Sequence, residues 1–144
     1  MIRTTIRTKG GHRLRAHIRK VSRRSPTSLE VGFFGNKKYP DGTYVADVVA
    51  WNNYGTANIP ARPFFDEFSN GSTEVLRELS ARTPPITRSL LTEVAGLLEN
   101  YLQSIIRVWT EPPNAPRTIA KKGKDDPLVD TEFLINSVDH RIER

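Results

Sequence analysis

Three histidines (His12, His17, His140) and three aspartates (Asp125, Asp126, Asp130) are the residues whose types could serve catalysis or hold a metal. A histidine acts as base, acid or ligand only when other groups converge on it. None of the three stands at metal-ligand spacing from another, and there is no cysteine to complete a set. They read as surface or strand-face residues. The aspartates would suit a hard divalent cation. They lie in a Pro/Lys stretch, however, where Lys121, Lys122 and Lys124 neutralise them locally, and Asp130 is placed to cap a helix. The lack of cysteine excludes a disulfide framework and a cysteine nucleophile. A Gly-x-Ser-x-Gly elbow, a Walker-type loop and a dinucleotide fingerprint are also missing. The expectation is a protein that is not an enzyme, with no cofactor, metal or small-molecule substrate.

Charge offers a different chemistry. The 144 residues carry 22 Lys+Arg against 16 Asp+Glu, a formal net charge of +6. Residues 1–38 hold eleven of the basic residues and one acid, so they carry +10 and the remainder −4. Arg13, Arg15, Arg19, Lys20, Arg23 and Arg24 could contact DNA phosphates or an acidic partner, with strongly salt-dependent binding. No zinc finger, ribonucleoprotein aromatic motif or Gly-x-x-Gly clamp accompanies them. A basic nucleic-acid-binding module is therefore one reading. Opposite-signed surfaces meeting between neighbouring subunits are the other. No apolar run approaches the roughly 18 residues of a membrane span, and the N-terminus lacks the apolar core of a secretory signal.

The elements that position these residues predict one α+β domain over 1–144. Alternation predicts strands near 2–8, 28–34 and 137–143, joined in a small antiparallel sheet of about three or four strands. Leu14, Ile18 and Val21 predict a short basic amphipathic helix over 12–24, ended by Pro26, so that 1–27 forms a strand–helix segment. Thr43 is expected to cap a helix through Asn52, and Gly55 to close it as a left-handed residue. Phe64, Phe65, Phe68, Val75, Leu76 and Leu79 predict a helix to about Arg82, with Ser69-Asn70-Gly71-Ser72 its weakest point because glycine there costs about 1 kcal/mol against alanine. The widest apolar stripe, from Leu90 to Trp109, predicts a long helix over 87–109. Residues 110–129 read as a long loop, and Asp130 or Thr131 as the cap of a last short helix.

One stretch has a pattern of its own. Tyr54-Gly55-Thr56 is followed by Ile59-Pro60-Ala61-Arg62-Pro63-Phe64, where two prolines fix the approach to the next helix. With the helix from Val45 before it, this run resembles the Gly-Thr, Ile-Pro-Ala-Arg-Pro-Phe signature of tailed-phage virion-morphogenesis, neck and tail-completion proteins, including Mu-like ones. A second stretch is similar too: Pro116, Thr118-Ile119, Lys122-Gly123, then Pro127-Leu128-Val129-Asp130-Thr131, Leu134 and Asn136-Ser137-Val138. Together with Tyr39-Pro40-Asp41-Gly42-Thr43, the resemblance spans about residues 28–142. The sequence departs from it at Glu132, where the family usually has glycine, and at Lys124-Asp125, where it has serine. The resemblance implies a non-enzymatic subunit that forms a homo-oligomeric ring at the head–tail junction or tail end. Its partners would be other head–tail or tail proteins, with DNA passing through the channel. Its place would be the virion, and the host cytoplasm during assembly.

Overall fold

The computed structural model describes the backbone of residues 2–8, 14–20, 28–82, 87–128 and 132–143, and the side chains of 28–78, 81, 87–128 and 132–143. The chain is α+β. It runs β1 (Ile2–Thr8), β2 (Leu14–Lys20), β3 (Ser28–Gly32), α1 (Val45–Tyr54), α2 (Phe64–Arg82), α3 (Arg88–Val108), α4 (Pro116–Lys122), a 3-10 turn (Ile135–Ser137) and β4 (Asp139–Glu143). β3 pairs antiparallel with β4, setting Leu29 opposite Ile142 and Val31 opposite His140. On its other side β3 pairs with β2, and β2 with β1, both antiparallel. The hydrogen-bonded order is β1-β2-β3-β4.

Residues 14–20 form a strand, which corrects the helix expected over 12–24. Leu14 and Ile18 are four apart, a spacing that fits both periods, and Ala16 between them completes a period of two. Pairing with β3 decides the matter by setting Ala16 opposite Val31 and Ile18 opposite Leu29, apolar against apolar.

α3 lies against β3 and β4, and α2 beside β1 and α3. Thr87 caps α3, its Oγ1 accepting from the Leu90 N–H at 3.1 Å. Val94, Leu98, Leu102, Ile105 and Ile106 bury one stripe of α3 against Leu29, Val31 and Phe33. Leu97, counted in the stripe from spacing, faces solvent at 56% exposure. Phe64, Phe65 and Phe68 complete the core, with Phe65 and Phe68 ring centroids 5.6 Å apart.

α2 passes unbroken through Gly71. A Cβ at that position would overlap Tyr101 Oη and its ring, so the glycine makes room for the Tyr101 side chain of α3. That packing outweighs the propensity cost of about 1 kcal/mol. Ser72, fully buried, donates its hydroxyl to the Ser69 carbonyl at 3.0 Å.

The stretch read as a loop over 110–129 contains α4. Pro116 occupies its first turn and Gly123 closes it in a left-handed conformation, its N–H donating to the Ile119 carbonyl at 2.8 Å. The helix buries none of its residues, so no apolar stripe announces it. Tyr44, not Thr43, is the N-cap residue of α1. Thr43 is engaged in a turn, where its N–H donates to Asp41 Oδ1 at 2.9 Å and its carbonyl accepts from the Tyr39 N–H at 2.8 Å. The caps expected at Asp130 and Thr131 lie outside the described residues.

Candidate functional site

The stereotyped run after α1 folds into a knot around one buried cation. Tyr54 ends α1 half-exposed, and burial next to Asp66 raises its phenol pKa above the ordinary value. Gly55 follows with φ 76° and ψ 168°. This corrects the left-handed assignment: φ is positive, but ψ is extended, a region open essentially to glycine alone. A Cβ on Gly55 would sit 2.9 Å from the Ala61 nitrogen and 3.0 Å from the Ile59 carbonyl oxygen. Thr56 then closes a turn. Its N–H donates to the Ile59 carbonyl at 2.8 Å, and its Oγ1 accepts from the N–H groups of Asn58 and Ile59. Pro60, Ala61 and Pro63 are exposed, and Ile59 is half-buried.

Arg62 points the other way and is 4% exposed. Its Nε donates to the Pro112 carbonyl at 2.9 Å, one terminal nitrogen to the Pro113 carbonyl at 3.0 Å, and the other to Asn52 Oδ1 at 3.1 Å. Its backbone N–H donates to the Asn52 carbonyl at 2.6 Å. Guanidinium suits this role because its donors lie in one rigid plane and can serve two successive carbonyls and an amide together. Burial lowers its pKa from the ordinary value, and the negative charge of Asp125 opposes that shift. Next to it, Asn53 Oδ1 accepts the Phe65 N–H at 2.9 Å and so serves an otherwise orphaned donor at the start of α2. Phe64 packs edge-on against Trp109 at 6.4 Å.

Asn114, the residue after the two prolines that Arg62 holds, lines a cleft of about 360 Å³. Tyr39, Asp41 and Thr43 line it from the turn before α1, Val48, Trp51 and Asn52 from α1, Thr118 and Lys122 from α4, and Pro127, Leu128, Phe133 and Leu134 from the chain beyond. Pro127 and Leu128 are buried. Hydrogen bonds from the Thr43 backbone and hydroxyl hold the Asp41 carboxyl below the usual aspartate range. Asn114 donates its backbone N–H to Asp125 Oδ1 at 2.9 Å, while its buried Nδ2 has no hydrogen-bond partner. Glu132 has φ 59°, positive for a residue with a side chain.

The remaining expected residues divide in two. Arg15, Arg19 and Lys20 lie on β2, whereas Arg13, Arg23, Arg24, Asp130 and Thr131 lie outside the described residues. His140 does not stand alone. Its Nδ1 is 2.7 Å from Glu99 Oε1, tying β4 to α3, and with Asp139 the three groups gather within 4.8 Å of one another. Asn52, Asn53, Pro112, Pro113 and Asn114 are the knot's unforeseen members. The paired asparagines in the last turn of α1 and the Glu111-Pro112-Pro113-Asn114 run were the only local signals.

Among the described residues, no helix is long and apolar enough to cross a membrane. No family model, curated protein or solved structure matches the chain.

Proposed function

We propose that the chain is a non-enzymatic structural subunit of a tailed-phage virion. It acts at the head–tail junction or tail end through ring-type contacts with copies of itself and with neighbouring head–tail or tail proteins. One observation carries the reading. The stretches that resemble this class, residues 39–64 and 116–138, are separated by about fifty residues in sequence yet line one cleft, with Asn52 belonging both to the cleft and to the Arg62 knot. The positive φ at Glu132 supports it further, since the resembled signature has a glycine there.

The knot holds its chemistry inside. Arg62 is buried, and each of its three guanidinium nitrogens donates to a carbonyl or amide oxygen, so the group serves as a structural tie. A buried cation that ties two loops is what a subunit needs to keep its shape through assembly. The test is a concentration series of the full chain by light scattering and native mass spectrometry, at low and moderate salt. Discrete oligomers that grow with concentration are expected. A strict monomer at every concentration, combined with tight, steeply salt-dependent duplex DNA binding, would replace this reading with the nucleic-acid-binding one.

A further inference from the structure

The sheet ends in two strands that each have a single neighbour. β4 pairs with β3 and β1 with β2, and neither has a second strand partner among the described residues. Such edges offer rows of backbone N–H and C=O groups to any chain that can approach, and proteins commonly guard them with charge. Here the guards differ in sign. β4 reads Asp139-His140-Arg141-Ile142-Glu143, with carboxylates at its two ends, four residues apart. β1 contains Arg3 and Arg7, also four residues apart, and no acid.

Resting on the ring reading above, we infer that β4 of one copy pairs antiparallel with β1 of the next, so that the sheet continues from subunit to subunit. The alignment that sets Arg7 opposite Asp139 also sets Arg3 opposite Glu143. A slip of two residues in either direction sets an arginine opposite Arg141 instead. A slip of one would turn each strand's residues to the wrong face of the sheet. The charge pattern therefore selects one register.

That register also agrees with the rows already present inside the sheet. Within one copy Ile6, Ala16, Val31 and His140 lie on one cross-strand row, and Thr4, Ile18, Leu29 and Ile142 on another. In the inferred pairing the next copy's Ile6 falls opposite His140 and its Thr4 opposite Ile142, so both rows run on. Asp139 and Glu143 lie opposite Gly32 and Ser28 of β3, which bear no charge. Arg141 is engaged with the Phe34 ring, its guanidinium carbon 4.3 Å from the centroid. Four antiparallel strands are an even number, so the next copy's β1 runs in the same direction as the first copy's. The contact is then head-to-tail and can repeat until a rotation closes it.

Two experiments on the full chain test the pairing. Asp139→Lys with Glu143→Lys turns two attractions into repulsions and is expected to weaken self-association by about tenfold or more, with the far-UV spectrum unchanged. Adding Arg3→Glu and Arg7→Glu to the same chain restores it. Separately, Arg3→Cys with Glu143→Cys in this cysteine-free protein is expected to give a ladder of cross-linked species on a non-reducing gel. Within one copy these positions are three strand spacings apart, roughly 14 Å, beyond the reach of a disulfide, so each bond must join two copies. Oligomers that ignore the charge reversal and yield no cross-linked ladder would overturn the edge pairing and leave the ring reading standing. A protein that never self-associates would overturn both.

Discussion

Replacing Arg62 with alanine is expected to lower the unfolding free energy by about 3–5 kcal/mol, because buried neutral acceptors are left without their charged donor. Three side-chain hydrogen bonds vanish with it, to Asn52, Pro112 and Pro113. Each charge-assisted bond contributes about 1.5–3 kcal/mol, but the three share one guanidinium and so do not add. The two proline carbonyls lose their donor, and the segment before α4 loses its attachment to the α1–α2 connection. Arg62→Lys should lie between, at about 2 kcal/mol, because a single ammonium cannot serve two successive carbonyls and Asn52 Oδ1 in one plane. Urea unfolding followed by far-UV circular dichroism gives both values, and fluorescence in a Trp51→Phe background reports locally through Trp109, whose ring packs on Phe64. An alanine variant within about 1 kcal/mol of wild type, at unchanged m-value, would refute the keystone role of Arg62.

Gly55→Ala should cost about 1–3 kcal/mol, since any Cβ meets backbone atoms of Ile59 and Ala61 at a φ of 76°; an unchanged melting temperature would remove the strain argument. Glu132→Gly should be neutral or stabilising by up to about 1 kcal/mol, because relief of left-handed backbone strain offsets the added freedom of the unfolded chain. A clear loss of stability in thermal melts would contradict it. Asp41 should titrate below the ordinary aspartate value of 3.8 in a chemical-shift titration. Because its folded-state pKa is the lower one, its contribution to stability is complete above the unfolded value and disappears as pH falls through the folded value. Asp41→Asn should remove that part of the acid limb.

The parts of the fold legible in the sequence are those where one period dominates. α3 is the clearest case, because its apolar stripe matches only a helical spacing and Thr87 supplies a cap. β2 was illegible because Leu14 and Ile18 satisfy two periods at once, and the deciding contribution, pairing with β3, comes from elsewhere in the chain. α4 fails the test for the opposite reason. Its Pro116 and Gly123 are sound boundary signals, yet it buries nothing, so periodicity is silent. The knot was half visible. Two prolines and a glycine marked an unusual backbone, but nothing local says that Arg62 reaches carbonyls fifty residues away.

The separation between the knot and the proposed interface follows from what each asks of a residue. A side chain that must hold two loops together is best buried with every nitrogen engaged, as Arg62 is, and a buried group is out of a neighbour's reach. An interface that forms only on assembly needs groups that water satisfies in the free subunit and a partner satisfies afterwards. Backbone edges and charged side chains suit that requirement, because an interface built from them leaves no apolar face to aggregate before assembly. The unequal charge of the chain fits the same logic. The excess of positive charge lies in the segment that contains β1, and a carboxylate pair lies on β4 at the far edge of the sheet. Self-association driven this way should be salt-sensitive, since screening at moderate ionic strength weakens exposed pairs. An assembly that strengthened steadily with salt would instead point to an apolar contact made elsewhere on the surface.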